Sequence, residues 1–151
     1  MSHHRSIEDL DEAAVFHKGI ELFNAGEWFE AHETWEDIWR PAQGPKKPFY
    51  QGLIQAAVVI EHIRRGNPRG VRSVYESCLP KFAGLPNVYM GVDIPALLAG
   101  LKRMVDPVFA LPAEHFAPGL PRGQSLPVDL AQAPRIELLC DPFCHEQSDP
   151  H

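Results

Sequence analysis

The chain has 151 residues, of which 44% are hydrophobic, and a formal net charge of -6. This length and composition predict one folded domain with its own core and exclude a disordered chain. The acidic balance argues against non-specific binding to nucleic acid or to an anionic membrane surface. An apolar run long enough to span a membrane is absent from the sequence, and no apolar run follows the charged start as a secretory signal requires. Together with an odd count of three cysteines, this predicts a cytoplasmic protein.

Apolar residues recur at helical spacing through residues 9–106, which we predict to be a helical domain. Gly26 suits the left-handed position after a helix, while Pro41 and Pro80 should end the helices that precede them. Asn67 and Asp93 are good N-caps. Helices are predicted over 10–24, 27–40, 49–65, 68–79 and 93–105.

The third predicted helix is apolar on nearly every side between Gly52 and Ile60, which predicts a position at the centre of the bundle. Prolines recur from Pro107 onward and should prevent long helices there. Residues 107–151 are therefore predicted to be an extended tail that docks on the bundle, with a short strand or docking segment at 135–139, and residues 1–8 a disordered tail. The predicted fold class is all-α: a compact bundle of about five helices with an extended, proline-rich C-terminal tail.

Four sequence motifs follow one another along this chain. Written with x for any residue, they are FNxGxxFEAHExxExxWR at 23–40, FxQGLIQxA at 49–57, RGNxxG at 65–70 and GVD at 91–93. Their succession resembles domain of unknown function 309, a family of small bacterial and archaeal proteins, over roughly residues 15–105. The resemblance implies a helical fold and brings no established activity.

Polar side chains are predicted to meet between the second and third helices. At about 100° per residue, His32 shares the apolar, tryptophan-bearing face of the second helix, and Glu36 lies at its edge. On the third helix, Gln51, Gln55 and His62 share one line. Because buried polar groups need partners, these five side chains are predicted to form one cluster.

Four roles are open for this cluster. His32, Glu36 and His62 could bind one divalent transition metal with an open coordination position, although their spacing is not that of a zincin or a di-iron bundle. The same three residues could perform acid–base catalysis without a metal. The cluster could instead line a small-ligand pocket with tryptophan walls, or it could be a satisfied network that fixes helix pairing. The candidate ligand-binding residues are Glu33, Trp39, Arg40, Gln51, Gln55, Arg65, Asn67 and Arg69.

Arginines gather around the start of the fourth helix, where a small anion, a phosphate or an RNA backbone could bind, although a solvated face with salt bridges has the same pattern. The tryptophans of the second helix are either core anchors or, if their face is open, a partner-binding surface. Cys140, Cys144 and His145 are either metal ligands or reduced thiols and tail residues. The four arginines are Arg64, Arg65, Arg69 and Arg72, with Lys46 and Lys47 as candidates to extend them.

Two functions follow from these patterns. The first is a small helical binding or scaffold protein, with another protein or a small anionic ligand as its partner, and it predicts exposed aromatic side chains. The second is a small, metal-dependent, hydrolase-like enzyme, and it predicts one water-accessible cleft that holds His32, Glu36 and His62. The tryptophans and the large apolar fraction also favour a homodimer.

Overall fold

The computed structural model describes residues 2–119, 123 and 125–143, with side chains described from residue 11 onward. The predicted all-α fold class is confirmed, and a two-stranded antiparallel sheet is added that the sequence analysis did not predict. No helix in these ranges is both long and apolar enough to cross a membrane. The helices are α1 (Ser2–Asn24), α2 (Trp28–Trp39), α3 (Lys46–Arg64), α4 (Pro68–Cys78) and α5 (Ile94–Phe109), the strands are β1 (Val88–Tyr89) and β2 (Val92–Asp93), and the short 3-10 turns are Leu79–Phe82, Ala113–Phe116 and Leu130–Gln132.

The predicted helix ends are largely set by local chemistry. Gly26 has a φ of 82°, the left-handed conformation expected after α1. The side chain of Asn67 accepts a hydrogen bond from the backbone N–H of Gly70 at 3.2 Å, and Asp93 accepts one from Ala96 at 3.0 Å. Both N-cap predictions are therefore confirmed.

Three helices extend beyond their predicted bounds. Helix α1 begins at Ser2, so the helical backbone covers residues 2–8 of the predicted disordered tail, a stretch without proline or glycine. Helix α3 begins at Lys46, earlier than predicted, and its first turn contains Pro48. The helix tolerates a proline there because the N–H groups of a first turn have no partner within the helix. Helix α5 continues through Pro107 and crosses the predicted boundary of the helical domain. The buried neighbours Val105 and Val108 pack on the core and hold that turn in place.

Helix α3 lies between α2 and α4 and is buried on most of its circumference. Gly52 of α3 lies close to the ring of Phe82, where an added Cβ would be only 2.5 Å from a ring atom. On the α1 side of α2, Trp35 is fully buried and donates from Nε1 to the carbonyl of Phe16 at 3.2 Å. Trp28 is buried as well, so the tryptophans are mainly core anchors.

Residues between 134 and 143 contact the helical part of the chain. The Asn24 side chain donates to the carbonyl of Ile136 at 2.9 Å and accepts from its N–H at 2.8 Å, and Ile136 is buried. The N–H of Leu139 donates to the carbonyl of Gly91 at 2.8 Å. Residues 135–139 thus act as a docking segment without forming a strand. Residues 144–151 lie outside the described part of the chain.

The substitution Asn24→Ala removes both hydrogen bonds that hold Ile136. We expect the free energy of unfolding to fall by about 1–3 kcal/mol, since each bond contributes about 0.5–1.5 kcal/mol. Limited proteolysis should cut the tail sooner, and urea unfolding should measure the loss. The exposed Asn87, replaced by Ala, is the control. Equal cleavage rates in both variants would show that Asn24 does not hold the tail.

Candidate functional site

The structure divides the predicted polar cluster between the contact of α3 with α4 and one face of α2. Gln55 on α3 donates from Nε2 to the hydroxyl of Ser77 on α4 at 3.0 Å. His62 Nδ1 lies 3.1 Å from the side-chain nitrogen of Asn67, the N-cap of α4. Gln55 therefore contacts α4 and His62 contacts the N-cap of α4, whereas His32 lies on α2. Gln51, the third member of that line, is half-buried.

The predicted metal ligands and catalytic residues are thus carried by α2 and α3, and His62 contacts the N-cap of α4. Among the side chains that the structure describes, no group of three or more His, Cys, Asp and Glu residues is arranged to hold a metal ion. The shared metal site and the catalytic role predicted for His32, Glu36 and His62 stay predictions. Of the alternative set in the tail, Cys144 and His145 lie outside the described residues.

His32, Glu36 and Arg40 form a line of contacts along one face of α2, here called the α2 ladder. His32 Nε2 lies 3.4 Å from Glu36 Oε2, and Arg40 Nη2 lies 3.3 Å from Glu36 Oε1. His32 Nδ1 is 2.9 Å from the carbonyl oxygen of Phe29. Because a carbonyl only accepts hydrogen bonds, Nδ1 carries a hydrogen, and the contact of Nε2 with the Glu36 carboxylate is an ion pair when the ring is protonated.

The remaining predicted residues on α2 have different surroundings. Glu33 is exposed, so it lies away from the core. Trp39 is half-buried, and the ammonium nitrogen of Lys47 lies 4.8 Å from the centre of one of its rings. Lys46 forms an ion pair with Glu12 at 3.0 Å. The two lysines therefore do not extend the arginine cluster.

Sequence reasoning missed Glu61, a carboxylate on α3 that is only 5% exposed. It accepts hydrogen bonds from Arg64 and Arg65, three and four residues later on the same helix. Burial by itself raises the pKa of Glu61, but the hydrogen bonds and charges of the two arginines outweigh it and lower the pKa below its ordinary value. The signal in the sequence is an acidic residue on a buried helix, followed by two arginines at helical spacing.

The two arginine side chains reach solvent at the corner where α2 begins and α3 ends. Their side chains are 50% and 56% exposed, although Glu61 beneath them is buried. The guanidinium carbon of Arg65 lies 5.2 Å from the ring centre of Phe29, an aromatic residue that is 36% exposed. We call Phe29, Glu61, Arg64 and Arg65 the arginine corner.

The other two predicted arginines lie on α4. Arg69 and Arg72 line a shallow depression of about 430 Å³, together with Asn67, Ser73 and Glu76. The guanidinium carbon of Arg72 lies 4.4 Å from the ring centre of Phe116. The four predicted arginines thus form two separate pairs. Arg64 and Arg65 bind Glu61, whereas Arg69 and Arg72 line the depression on α4.

A second depression, of about 650 Å³, lies between α1 and the loop after α2. Its described lining is mainly acidic and apolar, with Lys46 as a basic member. The lining residue Glu12 accepts a hydrogen bond from the buried hydroxyl of Tyr50. Burial first, and the contact with Glu12 second, raise the pKa of Tyr50 far above its usual range, so the phenol stays protonated.

The part of the chain that contains the α2 ladder and the arginine corner resembles a known protein family. Residues 16–74 match the family model of domain of unknown function DUF309. The resemblance that the motifs predicted is therefore confirmed, and the α2 ladder and the arginine corner both lie within the matched residues 16–74. An uncharacterized protein of Aquifex aeolicus (strain VF5) is 27% identical over 95 residues. That match covers 62% of this chain but 28% of the relative, so the chain spans less than a third of that protein's length.

The substitution Glu61→Gln tests the charge balance of the arginine corner. We expect it to lower the free energy of unfolding by about 1–3 kcal/mol near neutral pH, because the two arginines lose their anionic partner. The pKa of Glu61 is lower in the folded state, so its stabilising effect is complete above the ordinary value of 4.5 and is lost as the pH falls through the folded-state pKa.

Urea unfolding of both proteins across a series of pH values measures this effect. The difference between them should be constant near neutrality and should shrink in acid. Glu33→Gln, which removes an exposed carboxylate from α2, is the control. A difference that does not change with pH would contradict the assignment.

Proposed function

We propose that this protein is a non-catalytic binding protein that uses the arginine corner to contact a short acidic segment of a partner protein. The observation that carries the proposal is the buried Glu61 carboxylate, which fixes two half-exposed guanidinium groups beside an exposed phenylalanine. Burying a carboxylate is unfavourable unless it is paired, so the arrangement holds both arginines in defined positions.

Fixed arginines are suited to recognising carboxylates. Each guanidinium has five N–H donors, and Glu61 engages the inner ones, Nε and Nη2 of Arg64 and Nε of Arg65. The other donors belong to side chains that are half exposed. A partner carboxylate could pair with such a fork through two parallel hydrogen bonds, at a lower entropic cost than with a mobile lysine.

Phe29 adds an apolar contact to this charged surface. Its ring is 36% exposed, and Arg65 stacks on it at 5.2 Å, which supports the guanidinium from one side. Aromatic residues and arginine are enriched in protein–protein interfaces and among the residues that contribute most to binding. The combination favours a partner that presents an apolar side chain next to its carboxylates.

A short acidic segment fits the surrounding charges better than a nucleic acid does. The whole chain carries a net charge of -6, and Glu27 and Glu30 on the neighbouring part of the chain act electrostatically on Arg64. A long polyanion would meet these acids, whereas a peptide carboxylate could reach the two guanidinium groups alone. We also propose a cytoplasmic location, in keeping with the free thiols of Cys78 and Cys140.

Replacing both arginines by lysine tests the proposal with the net charge unchanged. The probe is a fluorescein-labelled peptide that alternates glutamate and leucine, titrated with the full chain while fluorescence anisotropy is measured. The variant Arg64→Lys, Arg65→Lys should bind at least about tenfold more weakly, because each lost charge-assisted hydrogen bond contributes about 1.5–3 kcal/mol. Phe29→Ala should also weaken binding.

The matched control is Arg69→Lys, Arg72→Lys on α4, which makes the same change outside the arginine corner. It should leave the affinity for the peptide unchanged. Equal weakening in both double variants, or none in the first, would refute a site at the arginine corner. Inorganic phosphate and single-stranded RNA are the comparison ligands, and stronger binding of either one than of the peptide would also refute an acidic protein segment as the partner.

A further inference from the structure

Residues 134–139 lie on the rest of the chain as an extended peptide lies in a groove. Pro134 and Ile136 are buried and Leu138 is half-buried, whereas the residues between them and Leu139 are exposed. Burial that alternates with a period of two is the pattern of an extended backbone that has one face on a surface. The segment therefore presents every second side chain to the protein beneath it.

Three hydrogen bonds hold this segment by its main chain. The side chain of Asn24 donates to the carbonyl of Ile136 at 2.9 Å and accepts from the N–H of the same residue at 2.8 Å. The N–H of Leu139 donates to the carbonyl of Gly91 at 2.8 Å. A side-chain bond, from Arg135 to the carbonyl of Asn24 at 3.2 Å, lies at the exposed edge. Because almost every residue provides a backbone N–H and C=O, the three main-chain bonds suit other extended peptides as well.

Two glycines let the segment come close to the protein beneath it. A Cβ added to Gly100 on α5 would lie 2.6 Å from the Cβ of Pro134, and one added to Gly91 would overlap the carbonyl oxygen of Cys140. At both positions the missing side chain leaves room for the segment. The surface beneath the segment, here called the tail groove, is formed by Asn24, Gly91, Val92, Leu97 and Gly100.

The segment does not fill the tail groove. A cavity of about 210 Å³ remains there, and its lining includes Ile136 and Leu139 of the segment and Val92 and Leu97 beneath it. Apolar atoms that face a gap lose dispersion contacts. The segment is therefore held less tightly than a fully complementary peptide would be.

The connection to the rest of the chain allows the segment to leave. Among the described residues of 117–129, side chains are exposed or half-buried and none is buried. This stretch also contains three prolines, which disfavour a regular helix that would have to be broken. Release of the segment would thus cost the connection little buried area.

We propose that the tail groove binds an extended segment of a partner protein, and that residues 134–138 compete with it from within the chain. The partner segment has the pattern of Pro134, Ile136 and Leu138: a proline, an aliphatic residue two positions later and another two positions after that. A tethered competitor acts at an effective concentration of about a millimolar, so it sets how tightly the partner must bind. The tail groove shares no residue with the arginine corner, and this inference goes beyond the proposed function without resting on it.

The test is the binding of a fluorescein-labelled peptide with the sequence of residues 133–139, measured by fluorescence anisotropy with the full chain. The variant Ile136→Asp places a charge at the buried position of the tethered segment, which should then leave the groove. We expect this variant to bind the peptide at least about tenfold more tightly than the unsubstituted chain, because the competitor is removed. Asn24→Ala in the Ile136→Asp background should weaken binding about tenfold, since both of its hydrogen bonds to the peptide are lost.

The matched control peptide is N-methylated at its isoleucine. It keeps the side chain but lacks the N–H that donates to Asn24, so it should bind at least about fivefold more weakly. Asn87→Ala in the Ile136→Asp background replaces an exposed asparagine and should leave the affinity unchanged. Arg64→Lys, Arg65→Lys should leave it unchanged as well, so this proposal and the one for the arginine corner can fail separately.

A measurement on the unsubstituted chain covers the case in which Ile136→Asp does not fold, which circular dichroism would reveal. In proton–nitrogen NMR of the isotope-labelled chain, excess unlabelled peptide should shift the amide resonances of Ile136 and Leu139 as the segment is displaced. Unchanged resonances in a large excess of peptide would overturn the proposal.

Three further results would also overturn it. The first is a folded Ile136→Asp variant that does not bind the peptide. The second is an equal affinity for the plain and the N-methylated peptides, which would show that the groove does not recognise the main chain. The third is a dimer of the unsubstituted chain in size-exclusion chromatography that Ile136→Asp converts to a monomer, which would assign the groove to the same segment of a second copy.

Discussion

The burial of α3 is the constraint on which the rest of the structure depends. The helix has neighbours on both sides, so each polar side chain along it needs a partner from another element or from its own next turn. Tyr50 meets this need with Glu12, Gln55 with Ser77, and Glu61 with two arginines. Within the described residues, the Gln55 Oε1 atom is buried without a hydrogen-bond partner. Such an atom is costly, so the packing around α3 must be favourable enough to compensate for it.

The burial of α3 also explains why the arginine corner lies at the surface of the protein. Glu61 faces inward near the end of α3, and its arginines must extend outward to reach both the carboxylate and water. They emerge beside Phe29, whose ring contacts Arg65 and whose carbonyl contacts His32. Phe29 therefore connects the arginine corner with the α2 ladder through a single residue.

Much of the fold was predictable because its signals are local. The N-caps Asn67 and Asp93 and the left-handed Gly26 act on the residues next to them, so the sequence alone contains the information. The polar cluster was not predictable in the same way. Helical periodicity gives the direction of Gln55 and His62 around α3, but it does not say whether α2 or α4 covers that direction. The continuation of α5 through Pro107 was not predictable for the same reason, because it depends on the packing of Val105 and Val108 against residues far away in the sequence.

The α2 segment shows how one periodic sequence serves two surfaces. Ala31 and Trp35 are fully buried, and Trp35 fits so closely against Gly19 that an added Cβ there would lie 2.0 Å from its ring nitrogen. The close fit fixes how α2 is rotated about its own axis relative to α1. That rotation decides which residues remain at the surface, and they include His32 and Glu36. The close contact between Gly19 and Trp35 therefore helps to set the position of the α2 ladder at the surface.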